Sequence, residues 1–188
     1  MRYAQVFPGQ GSQFVGMGKD LFDQYSEAKK HFLEANKILG FKITEIMFEG
    51  SQKELTETNI AQPAIFIHSI IKSRLVKKKG EIIAVAGHSL GEFSALVASN
   101  SISFQDGLKL VNIRAKEMRK ACEENPGTMA AVIGLENESV ENCCTKIREI
   151  VVPANYNCPG QIVVSGEKKG IISVSKILNE SGARKVIE

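Results

Sequence analysis

The sequence predicts an α/β protein with a larger unit followed by a smaller one, and two observations lead to this prediction. The apolar run at residues 82–86 leads into Gly-x-Ser-x-Gly at 87–91 and then into small and apolar residues, which is the strand–turn–helix order of a nucleophile elbow. Beyond Thr128 the apolar pattern follows the β-α-β-β-α-β order of a ferredoxin-like unit. We therefore predict an α/β-hydrolase-like core over residues 1–125 and a ferredoxin-like small subdomain over residues 126–188.

Composition excludes several classes of function. The chain has 188 residues, of which 43% are hydrophobic and 24% charged, as expected for a globular protein with a sizeable core. Its net charge is only +3, and no basic run is interleaved with aromatic residues, so we expect no nucleic-acid partner. No apolar run has the length of a membrane span. The four cysteines lack C-x-x-C spacing, which favours reduced thiols in a cytoplasmic protein without a metal site.

The first half of the chain predicts two helices between two strands. A strand at residues 3–7 is followed by a turn in which glycines flank Gln10, as where the backbone closely approaches another group. A helix is predicted over 20–39, with Tyr25 among its residues at helical spacing, and a second one extends from the polar run 58–63 to Leu75. The lysines at 77–79 suit the negative end of that second helix. The apolar run that leads to the elbow predicts a buried strand.

The elbow makes Ser89 a candidate nucleophile. Glycines two residues before and two residues after a serine leave room for a sharp turn that lifts Oγ clear of the sheet. The helix that follows directs free N–H groups towards any oxyanion formed there. The alternative is a tight strand-to-helix turn in which the serine only caps the helix.

Arg114 is the second candidate residue. Ser103 and the acidic residue three positions later predict the start of a helix that runs to about residue 124. On that helix Arg114 falls on the same apolar face as Leu110 and Met118, whereas the lysines lie on other faces. An arginine in such a position either extends to solvent or is held for an anion. The second alternative predicts a substrate with a free carboxylate, because the guanidinium matches a carboxylate bidentately.

The three histidines have no predicted catalytic role. We expect His31 to be a surface or packing residue without a partner, and His68 to be a hydrogen-bonded histidine of the core. His88 precedes Ser89 at a sharp turn, so its side chain should point away from Oγ.

The small unit is predicted with two helices and four strands, and with Asn155 in the turn of its hairpin. The strands are expected at residues 129–135, 151–155, 162–165 and 184–187, and the helices at residues 139–149 and 171–180.

Six motifs in sequence order carry a family resemblance. They are residues 7–13, 58–63, 87–92, Arg114, 128–130 and 155–166. In these motifs the chain resembles the malonyl-CoA:acyl carrier protein transacylases of bacterial type II fatty-acid synthesis. The resemblance implies that Ser89 is the nucleophile and that the backbone N–H groups of Gln10 and Leu90 form the oxyanion hole. It also implies that Arg114 pairs with the malonyl carboxylate. Gln62 and Asn155 match positions that line or border the site.

The resemblance also implies substrates and partners. Ser89 would take malonyl from malonyl-CoA and pass it to the phosphopantetheine thiol of acyl carrier protein by ping-pong transfer. No permanently bound cofactor, metal, nucleic acid or membrane is implied, and the full-length protein is expected to be a cytoplasmic monomer. The position of the first motif close to Met1 favours a separate enzyme over a domain of a modular synthase.

The chain departs from the family pattern in one respect. The family's catalytic histidine lies in a segment that would follow Glu188, so we expect the chain to be C-terminally incomplete, to expose apolar surface on its α/β core and to be poorly active. Two alternatives stay open. One is a serine esterase or thioesterase, which shares the elbow but needs no buried arginine; the other is a non-catalytic module that docks carrier protein.

Overall fold

The computed structural model describes residues 1–75 and 80–188, which form two compact units, Met1–Lys120 and Ala121–Glu188. The lysine run at 77–79 lies outside the described residues. The elements that begin in the first unit are β1 (Arg2–Phe7), α1 (Lys19–Gln24), α2 (Ser26–Leu39), α3 (Ile43–Glu49), α4 (Gln52–Thr56), α5 (Thr58–Leu75), β2 (Glu81–Gly87), α6 (Gly91–Ala98) and α7 (Phe104–Glu124).

The parallel pairing of β1 with β2 brings two loops together. Phe7 lies opposite Gly87 at the carboxyl ends of the two strands, and the His88 N–H donates to the Phe7 carbonyl at 3.1 Å. Because the strands run in the same direction, the loop after β1 and the elbow after β2 leave the sheet at the same edge. The predicted strand–turn–helix order is therefore confirmed, and Gln10 and Ser89 lie in neighbouring loops.

The core of the first unit is built around α5. This helix is buried on every side from Ile60 to Ile67, and it packs with residues of α2, α6 and α7, among them Phe32, Val97 and Leu108. Phe66 of α5 stacks on Phe104 at the start of α7, with ring centroids 5.8 Å apart. A helix that is apolar on all sides needs neighbours on all sides, which fixes α5 in the centre of the unit.

The single helix predicted over residues 20–39 is wrong, because the chain breaks at Tyr25. This residue is extended, with φ −125° and ψ 113°, and is 45% exposed rather than buried. The break allows Phe22 to pack on Phe32 and Phe48, with ring centroids 5.9 and 5.3 Å apart. In one continuous helix, residues ten positions apart would be separated by about 15 Å along the axis, so Phe22 could not reach Phe32.

The buried strand predicted before the elbow is also wrong, since β2 is largely exposed. Ile82 and Ile83 are 38% and 50% exposed, and Val6 of β1 is 74% exposed. In the described residues, β1 and β2 form a two-stranded sheet, and the apolar side chains of a strand stay in solvent where no helix or other layer covers the face of the sheet. The expectation of exposed apolar surface on the α/β core is confirmed.

The second unit has the predicted β-α-β-β-α-β order. Its elements are β3 (Thr128–Ile133), α8 (Asn137–Thr145), β4 (Val151–Cys158), β5 (Gln161–Gly166), α9 (Lys168–Glu180) and β6 (Lys185–Ile187). The strands form one antiparallel sheet in the order β4-β5-β3-β6, and apolar residues of β3 and β5 pack with residues of α8 and α9. Asn155 lies within β4, opposite Val163, and not in the hairpin turn as predicted. The turn is shorter because β4 continues to Cys158 before Pro159 and Gly160.

Candidate active site

The elbow holds Ser89 in a backbone conformation that few residues other than glycine adopt. Its φ is +52°, in the left-handed region, and the residue is exposed at the end of β2. A Cβ at Gly87 would overlap the backbone of Gly91, and a Cβ at Gly91 would overlap the Phe7 carbonyl. The two glycines are therefore required by the tight packing of strand, turn and helix, as the spacing predicts.

The elbow and the loop after β1 differ from residue to residue in whether the backbone N–H has an acceptor. At the start of α6, the Gly91 N–H donates to the His88 carbonyl at 2.9 Å and the Glu92 N–H to the Ser89 carbonyl at 3.1 Å. In the loop after β1, the Gly11 N–H donates to Gln13 Oε1 at 2.9 Å. Within the described residues, the N–H groups of Gln10 and Leu90 have no protein acceptor. These are the two donors that the resemblance implies.

Arg114 extends across the unit to Ser89. Its Nη2 donates to Ser89 Oγ at 3.1 Å and its Nη1 to Gln62 Oε1 at 2.5 Å. Gln62 is fully buried, and its Nε2 donates to the Met118 sulfur at 3.2 Å. The half-buried guanidinium is thus held beside the nucleophile and does not extend freely into solvent. The sequence indicated the face on which Arg114 lies, but it gave no sign of the Gln62–Met118 contact.

Two further residues named from the resemblance have different outcomes. Gln10 is exposed, and its side-chain Nε2 lies 3.5 Å from Thr58 Oγ1 at the start of α5, which links the loop to the helix that carries Gln62. Asn155 is half-buried in β4 of the second unit. Its expected place at the border of the site stays a prediction.

Gly9 marks the close approach of the loop to the elbow. A Cβ at this position would lie 2.8 Å from both Nδ1 and the carbonyl oxygen of His88. We expect Gly9→Ala to displace the loop and the Gln10 N–H, and to lower the rate of Ser89 labelling by a fluorophosphonate probe by about 10-fold, since one displaced oxyanion donor costs up to 10²–10³. Pro8→Ala is the control. Equal labelling rates in Gly9→Ala and the wild type would show that this contact does not place the donor.

The structure places two of the histidines against residues outside the site. His31 was expected to have no partner, which is wrong: its Nε2 lies 3.0 Å from Arg74 Nη1 and its Nδ1 3.5 Å from Glu34 Oε2. These partners are 43 and three positions away along the chain, and only folding brings Arg74 close. His68 is half-buried on α5, and its ring packs edge-on against Phe14 with centroids 6.3 Å apart.

We expect His68 to make the free energy of unfolding depend on pH. Burial lowers the pKa of His68, the nearby Lys72 lowers it further, and Asp20 acts in the opposite direction. Because the unfolded histidine binds a proton at about pH 6.5 and the folded one only at lower pH, the free energy of unfolding should fall as the pH decreases below about 6.5. We expect His68→Gln to flatten this part of the profile in urea titrations. An identical profile in the variant and the wild type would contradict the assignment.

The described residues contain no group of three or more His, Cys, Asp or Glu side chains placed to hold a metal ion. In the same part of the chain, no helix is both long and apolar enough to cross a bilayer.

Cys143 and Cys144 are free and buried in α8, and burial raises the pKa of the Cys144 thiol.

The sequence matches a known protein family and named relatives. Residues 4–188 match the model of the acyl transferase domain family. A malonyl CoA-acyl carrier protein transacylase of Bacillus subtilis is 44% identical over 190 residues, which cover 99% of this chain and 60% of that protein. A protein of the same name from Escherichia coli is 38% identical over 99% of this chain and 62% of its own length.

Solved structures agree in fold. An acyl carrier protein S-malonyltransferase from Vibrio cholerae superposes with a TM-score of 0.87 at 38% identity, covering 98% of this chain and 61% of that one. A malonyl-transacylase in complex with its type II PKS acyl-carrier protein gives a TM-score of 0.91 at 38% identity, covering 100% of this chain and 62% of that one. The chain spans about three fifths of the length of these relatives.

Proposed function

The chain belongs to the acyl transferase domain family, and on that premise we propose that it carries the acyl-accepting site of a malonyl-CoA:acyl carrier protein transacylase. In this reaction Ser89 takes the malonyl group from malonyl-CoA and gives it to the phosphopantetheine thiol of acyl carrier protein. The relatives at 38–44% identity are named for this activity, and one solved relative is bound to an acyl-carrier protein.

The contact between Arg114 and Ser89 carries the proposal. The guanidinium nitrogen lies 3.1 Å from Oγ, so it is within reach of any group attached there. In a malonyl ester, one methylene separates the reacting carbonyl from a carboxylate. A fixed guanidinium next to the nucleophile can bind that carboxylate bidentately, whereas an acetyl group has no carboxylate to bind. An esterase that acts on neutral esters does not need a positive charge beside its nucleophile. The position of Arg114 therefore favours transfer of an acyl group that carries a free carboxylate.

The steps follow from the groups around Ser89. Oγ attacks the thioester carbon, a C–O bond forms, and the hydroxyl proton passes to water. The oxyanion accepts hydrogen bonds from the N–H groups of Gln10 and Leu90. The C–S bond then breaks and the CoA thiolate leaves with a proton. The carrier-protein thiol attacks the ester in the same way and releases Ser89. Arg114 holds the carboxylate in both half-reactions.

We infer that none of the three histidines is the general base for Ser89. His31 is engaged by Arg74, His68 packs against Phe14, and the ring of His88 lies against Gly9 in the neighbouring loop. A nucleophilic serine without a positioned base loses about 10²–10⁴ of its rate. We therefore expect slow acylation by the chain of 188 residues, and His31→Gln and His68→Gln should leave that rate unchanged.

We further infer, from the family resemblance, that Asn155 of the unit predicted at residues 126–188 contributes to malonyl-CoA binding. The support is the match of the motif at residues 155–166 to the family. Asn155→Ala should raise the malonyl-CoA concentration needed for half-maximal acylation more than it changes the maximal rate.

A two-step labelling experiment tests the proposal. The protein is mixed with malonyl-CoA, its intact mass is followed, and holo acyl carrier protein is then added. We expect one malonyl group on the protein, its loss on addition of carrier protein, and malonyl on the carrier's thiol. Hydrolysis of neutral esters with no malonyl adduct would favour an esterase. Binding of carrier protein with no adduct at all would favour a docking module.

A further inference from the structure

Gln62 bridges two side chains of the same helix. Arg114 and Met118 are four residues apart on α7, and the buried amide of Gln62 lies against both. Oε1 accepts from Arg114 Nη1, and Nε2 donates to the Met118 sulfur at 3.2 Å. Each polar end of this buried amide thus has one partner, as buried polar groups require.

The chemistry of the two partners fixes the orientation of the amide. A guanidinium has only donors, and a thioether sulfur is a weak acceptor without a donor. If the Gln62 amide turned over, Nε2 would face the donors of Arg114 and Oε1 would face the sulfur, so both contacts would become unfavourable. Met118 and Arg114 therefore select the same orientation of the Gln62 amide from opposite ends.

The orientation of the Gln62 amide affects the contact between Arg114 and Ser89, because the guanidinium of Arg114 is planar and rigid. When Gln62 holds Nη1 from the buried side, Nη2 is directed at Ser89 Oγ, where the distance is 3.1 Å. An apolar side chain in place of Met118 would leave the Nε2 hydrogens buried without an acceptor. The amide would then rotate towards another partner and release Nη1, and the aim of Nη2 would be lost.

We propose that Met118 is a positioning residue: its sulfur orients the Gln62 amide, which in turn aims the Arg114 guanidinium at the carboxylate of a dicarboxylic acyl group. The inference rests on the proposed function for the identity of that acyl group. Met118 itself contacts neither Ser89 nor Arg114 by hydrogen bond in this arrangement, so its effect passes through Gln62.

The kinetic test compares malonyl-CoA with acetyl-CoA. Met118→Leu preserves volume and removes the acceptor, and it should lower the ratio of malonyl to acetyl acylation rates about 5- to 20-fold, as expected when a buried N–H donor is left without an acceptor. Met118→Gln supplies an acceptor oxygen at a similar reach and should restore most of the ratio. Ile113→Leu, an exposed apolar position on the same helix, should leave the ratio unchanged. Equal losses for both substrates in Met118→Leu would show a merely structural role and overturn the proposal.

A double-mutant cycle isolates the path through Gln62. In a Gln62→Leu background, Met118→Leu should change the malonyl-to-acetyl ratio less than twofold, because the amide that it orients is gone. A full effect of Met118→Leu in that background would overturn the proposal.

A spectroscopic readout separates this proposal from the proposed function. The side-chain NH₂ signals of Gln62, assigned by their loss in Gln62→Leu, should shift in Met118→Leu and return towards the wild-type position in Met118→Gln. Unchanged Gln62 signals in Met118→Leu would overturn the positioning role whatever the activity. A wild-type protein that gains no malonyl group would overturn the transacylase proposal, while the NMR result would still decide the role of Met118.

Discussion

Replacing Ser89 with alanine is expected to abolish malonyl labelling, with a loss of about 10³-fold or more, the size seen when a nucleophilic serine is removed. The variant keeps Arg114 and the two free N–H groups, so malonyl-CoA can still bind, but no oxygen remains to form the ester. Intact-mass spectrometry after incubation with malonyl-CoA measures the effect. A malonyl adduct that persists in Ser89→Ala would place the acyl acceptor elsewhere.

Ser89→Gly separates chemistry from folding. The φ of Ser89 is +52°, which costs a residue with a side chain about 1 kcal/mol but costs glycine little. We expect Ser89→Gly to be inactive and yet to unfold with a free energy about 1 kcal/mol higher than the wild type. A less stable glycine variant would mean that the elbow is not strained, and its loss of activity could then reflect damage to the fold.

Arg114→Ala is expected to produce the second largest effect. The half-buried Arg114 would bind the malonyl carboxylate through two charge-assisted hydrogen bonds, whose loss costs about 3–4 kcal/mol, so malonyl acylation should fall about 10²- to 10³-fold. Acetyl acylation should not fall in parallel, because acetyl has no carboxylate. It should even rise, since the Arg114 N–H that occupies a lone pair of Ser89 Oγ is removed. Rates with the two thioesters, measured side by side, test this.

Two variants control for charge and for helix stability. Arg114→Lys keeps the positive charge but lacks the two-pronged geometry, and it should recover only part of the malonyl rate. Lys116→Ala removes an exposed charge from the same helix and should leave both rates unchanged. Equal losses of malonyl and acetyl acylation in Arg114→Ala would contradict a role in carboxylate selection.

Local sequence signals are sufficient for the elbow and for the order of strands and helices in the second unit. The Gly-x-Ser-x-Gly spacing is a steric requirement that two backbone segments impose on each other, so it can be read without knowing the rest of the fold. The same holds for the start of α7, where the Asp106 N–H donates to Ser103 Oγ at 3.0 Å, and for the alternating strands of the ferredoxin-like unit. Each signal lies within a few residues of its effect.

The sequence-based predictions are wrong where contacts with other parts of the chain determine the local structure. Tyr25 has helical spacing, but the chain breaks there, and the break goes together with aromatic contacts of Phe22 with Phe32 and Phe48. The partner of His31 is Arg74, on another helix. Exposure of Ile82 depends on which strands and helices cover β2, which its own apolar sequence does not reveal.

The sequence predicts only part of the candidate site. The sequence shows the four-residue spacing of Arg114 and Met118, but it marks Met118 only as an apolar residue on the same helix face. Its contact with Gln62 joins residues 56 positions apart, and nothing in the local pattern marks it. A buried glutamine within an apolar helix is a usable signal, since it requires partners for both ends of its amide.

A crystal structure of the protein after exposure to malonyl-CoA tests the central claim most directly. The account predicts an ester on Ser89 Oγ whose free carboxylate lies within about 4 Å of the Arg114 guanidinium nitrogens, the range of an ion pair. It also predicts that the ester carbonyl oxygen faces the N–H groups of Gln10 and Leu90. A malonyl group on Ser89 with its carboxylate turned to solvent, away from Arg114, would contradict it.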